Sequence, residues 1–393
     1  MLEKTENEFY LCKDCSRDVF LTEYIIQNAK AEEICTICLE NKKAVKTSDD
    51  KLLKLFSRFL IRYHYPEYEY NRHFGGEDLP HLFYNKNLIL NENFKNYSSH
   101  KRDVEIENFL YDFFDLWNDN NEIDLYYGHS DRDGTRGMYI PAIKEIKSLI
   151  WQEYKRDLLV KNSFLIENKA KDTFKEILEN LKFTLDIDSR YYRARIGYKE
   201  EKKDFGSSDM NIKVPYKQKE ISSPPILKAP AGRVNRQGIS YLYLASNIKT
   251  AIGEVRPHPG HYLSIGEFTN IKKLNLADLR FINLIDYFLD KRKLKQYMLL
   301  KDLSNELSLP ILPNERENYL VTQFISDIIR QLGFDGILFK SSISKGHNLV
   351  VFDSENFQFK ENSSELFKIT TAEFGYKKTE YEYDIFIQKA TEK

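Results

Sequence analysis

The sequence carries no excess of charge of either sign. Its 59 Lys and Arg almost cancel its 60 Asp and Glu, for a formal net charge of −1. No overall field therefore draws it toward nucleic acid or an anionic membrane, which leaves only local patches for such contacts. Long hydrophobic runs are also missing. No apolar stretch reaches the roughly 18 residues of a spanning helix. The opening Met1-Leu2-Glu3-Lys4-Thr5-Glu6-Asn7-Glu8 has neither the basic start nor the apolar centre of a secretory signal. The expectation is a cytoplasmic protein without a membrane partner. Internal repeats, coiled-coil heptads and low-complexity tracts are absent, which excludes solenoid and fibrous architectures.

What is present supports a globular chain. At 393 residues with 41% apolar and 14% aromatic content, it exceeds what one core usually serves, and two or three domains are expected. The 26 Tyr and 26 Phe supply much of the core-forming material.

Cysteine is scarce, and its placement is informative. All four lie near the N-terminus, as Cys12-x-x-Cys15 and Cys35-x-x-Cys38. In a reducing compartment each C-x-x-C knuckle turns two thiolates toward one point, and four thiolates complete a tetrahedron around zinc. With four sulfur ligands no position stays open to water, so the expected metal is structural. Cysteines that merely pack would not occur as two spaced pairs and then stop.

Helical periodicity dominates from Ser48 to about Leu181. Leu52, Leu55, Phe56, Phe59, Leu60 and Tyr63 follow the capping cluster Ser48-Asp49-Asp50. A second helix is expected over Val104 to Trp117, a third beginning at Pro141, and a fourth around Phe174 to Leu181. After residue 186 the texture changes to short β-like runs: Tyr241 to Ala245, His261 to Phe268, Phe334 to Phe339 and Asn348 to Phe352. A helix over about 319 to 332 ends at Gly333. The polar stretch 199 to 223 reads as a flap or insertion loop, and Tyr381 to Ile387 as an edge strand.

Three segments concentrate chemistry: Tyr191-Tyr192-Arg193-Ala194-Arg195, Gly232-Arg233-Val234-Asn235 running on to Tyr241-Leu242-Tyr243-Leu244-Ala245, and Ala251-Ile252-Gly253-Glu254-Val255-Arg256-Pro257-His258-Pro259. A guanidinium fork grips a pyrophosphate bidentately. A carboxylate near a ribose stabilises oxocarbenium charge that is absent in the ground state. A glutamate opening a helix, beside a tyrosine and a small-residue loop, suits a dinucleotide. Together with Gly333-Phe334-Asp335-Gly336 running on to Ser341-Ser342 and Gly346-His347-Asn348-Leu349-Val350-Val351-Phe352, these segments resemble the RES domain found in bacterial NAD-degrading toxins of toxin–antitoxin modules. The likeness covers roughly 186 to 360, and the cysteine-bearing front end resembles the N-terminal domain fused to RES or HEPN effectors.

The resemblance implies an α+β chain: a zinc knuckle over 1–48, a helical domain over 49–183, a catalytic domain over 184–360 and a tail over 361–393. The catalytic part would be a mixed β core with flanking helices, resembling ADP-ribosyltransferases, with NAD as substrate. It also implies Arg193, Glu254 and Ser341 as catalytic residues and Arg195, Tyr243, Arg233 and Ser342 as substrate-binding ones. Arg193 with Arg195, and Ser341 with Ser342, are ambiguous pairs. Water, inorganic phosphate or a macromolecule is the acceptor, an antitoxin or regulatory protein is an expected partner, and antiphage action and a homo-oligomer are expected. A second reading rests on Arg58 and His64, whose spacing resembles that of HEPN ribonucleases, although six residues on a helix do not share a face. His258 and His261 flank Pro259-Gly260 as a further possible anion site.

Overall fold

The computed structural model describes residues 8–70, 75–91, 100–114, 141–204, 209–309 and 319–373. Two compact units result. One gathers Met1–Leu181 and Leu279–Ile328, and the other gathers Lys182–Asp278 and Ile329–Lys393. The stretch read as continuous over 184–360 is thus interrupted: the chain leaves the second unit after Asp278 and returns at Ile329.

In the first unit β1 (Tyr10–Cys12), β2 (Ala31–Ile34) and β3 (Asn41–Lys46) form an antiparallel sheet ordered β1-β3-β2. The helices are α1 (Val19–Asn28), α2 (Lys51–His64), α3 (Glu67–Tyr70), α4 (Leu79–Asn85), α5 (His100–Phe113), α6 (Leu149–Val160) and α7 (Ser163–Leu178), with a later helix Lys291–Ser308. The expected cap of α2 is Asp50, whose Oδ1 accepts from Leu53 N at 2.9 Å. Its buried stripe begins at Leu53 and Phe56, leaving Leu52 and Leu55 exposed. Ile106, Phe109, Leu110 and Phe113 of α5 are buried as their spacing predicts, and Trp117 lies outside the described residues.

The helix expected to begin at Pro141 starts instead at Leu149, after a short 3-10 turn at Ile143–Glu145. Ser148 fixes this boundary. Its hydroxyl accepts from Trp151 N at 3.3 Å, while its own N–H donates to Asp302 Oδ2 at 2.7 Å. The helix therefore buries Trp151, Tyr154 and Leu158, and Leu149 and Ile150 are exposed.

The second unit contains β4 (Lys182–Leu185), β5 (Arg190–Ile196), β6 (Lys199–Asp204), β7 (Asp209–Val214), β8 (Leu242–Ala245), α8 (Ile248–Glu254), β9 (Tyr262–Asn270), β10 (Leu274–Asp278), β11 (Gly336–Lys340), β12 (His347–Val351), β13 (Phe357–Phe359) and β14 (Glu365–Lys368). A nine-stranded sheet runs β13-β9-β5-β8-β12-β11-β10-β4, with β14 also on β9. The β10–β11 pair is parallel and the other pairs are antiparallel, so the sheet is mixed, with helices, in an α+β chain. One face packs Leu185, Tyr191, Leu242, Leu244, Phe268 and Leu349. On the other, Ala194, Ala245 and Ile265 meet Ala251, Ile248 and Ile252 of α8, and the alanines let the helix approach closely. The stretch read as a flap contains the antiparallel ribbon β6–β7. The edge strand expected over 381–387 lies outside the described residues. Among the described residues no helix is long and apolar enough to cross a membrane.

Candidate functional site

Strand β5 pairs with β8 at one position, Tyr192 opposite Ala245. Beyond it the strands part. The Arg193 Nη1 donates to the Tyr243 carbonyl of β8 at 2.8 Å. Its Nε has no protein partner among the described residues. Burial, followed by repulsion from Arg195, lowers the Arg193 guanidinium to about 10, with Tyr243 acting in the opposite direction. Arg195 shares its strand face but is exposed. Its guanidinium lies 4.8 Å from the Tyr216 ring centroid and donates to the Glu220 carbonyl.

Tyr243 is anchored at its hydroxyl, which donates to Asn235 Oδ1 at 2.6 Å and accepts from Val234 N at 3.3 Å. Burial pushes this phenol up. Asn235 is itself buried, and its amide donates to the carbonyls of Pro230, Arg236 and Ile239. A Cβ at Gly232 would lie 2.8 Å from the Tyr243 hydroxyl and 2.4 Å from Asn235 Oδ1, so the turn requires glycine. Arg233, half-buried, sits in the same turn.

Glu254 closes α8 where the sequence suggested that it opens a helix; Asn247 is the N-cap, accepting from Thr250 N at 2.8 Å. Its Oε1 accepts from Ser341 Oγ at 2.7 Å and from Asn348 Nδ2 at 2.8 Å. The residue is exposed, and among the described residues its Oε2 has no protein partner. Ser341 begins the loop between β11 and β12, and its hydroxyl accepts from Ile343 N and Ser344 N at 3.2 and 3.3 Å. Ser344 Oγ lies 2.5 Å from Thr250 Oγ1, which ties the loop to α8. Ser341 therefore meets the carboxylate, while Ser342 is exposed beside it.

Arg193 and Glu254 make no direct contact among the described residues. Pairing places Tyr192, Ala245 and Asn348 on the sheet face covered by α8, so alternation turns Arg193 to the other face. Strand β8 links the two groups, since Tyr243 accepts from Arg193 and Ala245 pairs with Asn348. Asn348 was not singled out in the sequence. Its signal was a polar residue opening the apolar run Leu349-Val350-Val351, where a buried amide must find a partner.

The remaining candidates are dispersed. Arg58 is buried, and His64 Nε2 lies 2.8 Å from Asp18 Oδ2, so the ribonuclease pair does not share an open surface. The His258 and His261 rings are 5.6 Å apart, joined by His258 N donating to His261 Nδ1 at 3.2 Å. A pocket of about 730 Å³ lies where β8 begins, lined by Tyr241, Arg330, Phe352, Pro224 and Ile226 among others. Its lining includes none of Arg193, Glu254 and Ser341.

In the first unit the sulfurs of Cys12, Cys15, Cys35 and Cys38 all lie within 4.8 Å of one another, and Cys12 Sγ and Cys38 Sγ are 3.8 Å apart. A tetrahedron with bonds of about 2.3 Å places its sulfurs about 3.8 Å apart, so the donor set fits zinc. The Cys12 and Cys15 thiols, followed by backbone amides, hold the Cys35 thiol far below its ordinary range. Arg102 of α5 reaches the second knuckle, donating to the carbonyls of Thr36 and, at 2.8 Å, Ile37.

Residues 213–372 match the family model of the RES domain. The match contains Arg233, Tyr243, Glu254, Ser341 and Ser342 and begins after Arg193 and Arg195. Among solved structures, a chain from the crystal structure of the M. tuberculosis MbcT-MbcA toxin-antitoxin complex is similar at 13% identity, covering 50% of this chain and 92% of that one, with a TM-score of 0.29. No curated protein matches the chain.

Proposed function

From the RES domain that the chain carries over residues 213–372, we propose that it consumes NAD, breaking the bond between nicotinamide and ribose. The observation that carries this reading is the Glu254 carboxylate, with one oxygen held by Ser341 and Asn348 and the other open. Such a group faces developing positive charge without having to reorganise. Arg193 is the pyrophosphate clamp in this reading. Its buried Nε calls for an acceptor, and its lowered basicity is the state that a bound anion would reverse. Tyr243 offers a ring held by its own hydroxyl for stacking against a base. Arg233 is a second cation near that ring, and Arg195 and Ser342 flank the site. Ser341 orients the carboxylate and reaches the ribose.

The leaving nicotinamide takes the bonding pair, and water or inorganic phosphate adds to the ribose. No side chain need form a covalent intermediate. The same chemistry with a macromolecular acceptor would be ADP-ribosylation. NAD depletion by a cytoplasmic toxin restrained by an antitoxin, with antiphage action, is the biological role this reading implies, and four cysteines holding structural zinc belong to it. The ribonuclease reading draws no support from the placement of Arg58 and His64.

The test is incubation of the purified protein with NAD, with and without phosphate, and resolution of the products by mass. Free nicotinamide with ADP-ribose indicates water as acceptor, and a phosphorylated ADP-ribose indicates phosphate. Unchanged NAD together with RNA cleavage that disappears in His64→Ala would reverse the assignment.

A further inference from the structure

We infer that Asn348 is a positioning residue for the Glu254 carboxylate, an inference that rests on the NAD-cleaving reading above. Glu254 is an exposed side chain at the last position of a seven-residue helix. Left alone, such a side chain samples several rotamers, and its carboxylate has no fixed direction. Two donors converge on one of its oxygens, Ser341 Oγ at 2.7 Å and Asn348 Nδ2 at 2.8 Å.

The two donors differ in rigidity. Ser341 stands on a loop, whereas Asn348 is buried to 8% exposure inside β12, between Phe339 of β11 and Ala245 of β8. Its small neighbour Ala245 leaves room for the amide to pass toward α8. An amide is also the required chemistry. A carboxylate of the same shape would repel Glu254, and an aliphatic residue would leave Oε1 with the loop serine alone. Asn348 thus acts through Glu254 and has no need to touch the substrate. Because it holds Oε1 only, the direction it fixes is that of Oε2.

The experiment compares Asn348→Ala and the near-isosteric Asn348→Asp in wild-type and Glu254→Gln backgrounds, measuring kcat and KM for NAD together with the melting temperature. A hydrogen bond to a charged group predicts a fall in kcat of about tenfold to a hundredfold in both single variants, with KM changed by less than about threefold. In the Glu254→Gln background the further loss from Asn348→Ala should vanish, which a merely structural role would not produce. Wild-type kcat in the single variants, or an equal loss in both backgrounds, overturns the inference. A crystal structure of Asn348→Ala reads the same point without turnover: the Glu254 carboxylate should spread over several rotamers. One ordered carboxylate still 2.7 Å from Ser341 Oγ would overturn it. Absence of NAD cleavage by the wild-type protein would instead remove the proposed function, leaving the crystallographic result to decide about Asn348.

Discussion

At the scale of single residues, the proposed NAD-cleaving reading gives Arg193 and Glu254 separable roles. Arg193→Ala removes a clamp that acts in ground and transition states alike, so KM for NAD should rise with little change in kcat. Glu254→Gln keeps the size and removes the charge, and kcat should fall by about a hundredfold or more. Steady-state kinetics on both variants checks the split, and near-wild-type turnover in Glu254→Gln would end the mechanism. Ser341→Ala should fall between them, whereas Ser342→Ala should be nearly silent, because only the first serine donates to Glu254. Of these residues, Glu254 and Ser341 could be singled out in the sequence through the RES-like segments, and the structure brings the two into contact. Asn348 stands in the Gly346–Phe352 segment, but its role was not legible. Its partner is 94 residues away, and a polar residue beginning a strand looks like any loop-to-strand transition. Nor could the sequence show Arg193 and Glu254 on opposite faces, since that depends on the pairing of β5 with β8.

At the scale of elements, the β11–β12 loop is tied to α8 through Thr250 and Ser344. A Cβ at Gly346 would lie 2.1 Å from Thr250 Oγ1 and 2.7 Å from Asn247 Nδ2 and Ser246 Oγ, so the loop can close on the helix only with glycine there. Gly346→Ala should therefore displace the segment carrying Ser341, lowering kcat at least as much as Ser341→Ala and reducing the melting temperature. Turnover unchanged in that variant would show that the loop can move without cost. Local capping made α2 readable, because Asp50 and Leu53 are neighbours in sequence. The start of α6 was unreadable for the opposite reason: Ser148 N is satisfied by Asp302, 154 residues on, and Pro141 offered a more visible but false start.

At the scale of the whole molecule, the four-cysteine knuckle anchors the first unit's sheet and meets α5 through Arg102. Metal analysis should find about one zinc per chain. A strong chelator, or serine at any one of Cys12, Cys15, Cys35 and Cys38, should lower the melting temperature of the first unit. Protein that contains no zinc and melts identically with chelator would refute the site. The cysteine spacing made this centre legible because its ligands are close in sequence. Two or three domains were expected from the length, but the return of the chain to the first unit between Leu279 and Ile328 was not legible.

That interruption bears on how the protein is made. Glu254 is synthesised long before Ser341 and Asn348, and the whole segment from Leu279 to Ile328 intervenes between them. A nascent chain cannot bring Ser341 and Asn348 to Glu254 until β12 has emerged from the ribosome, so the activity proposed for this site would be absent through most of translation. Fragments that stop short of residue 341 would have the arginine and the glutamate but not the donors that aim them.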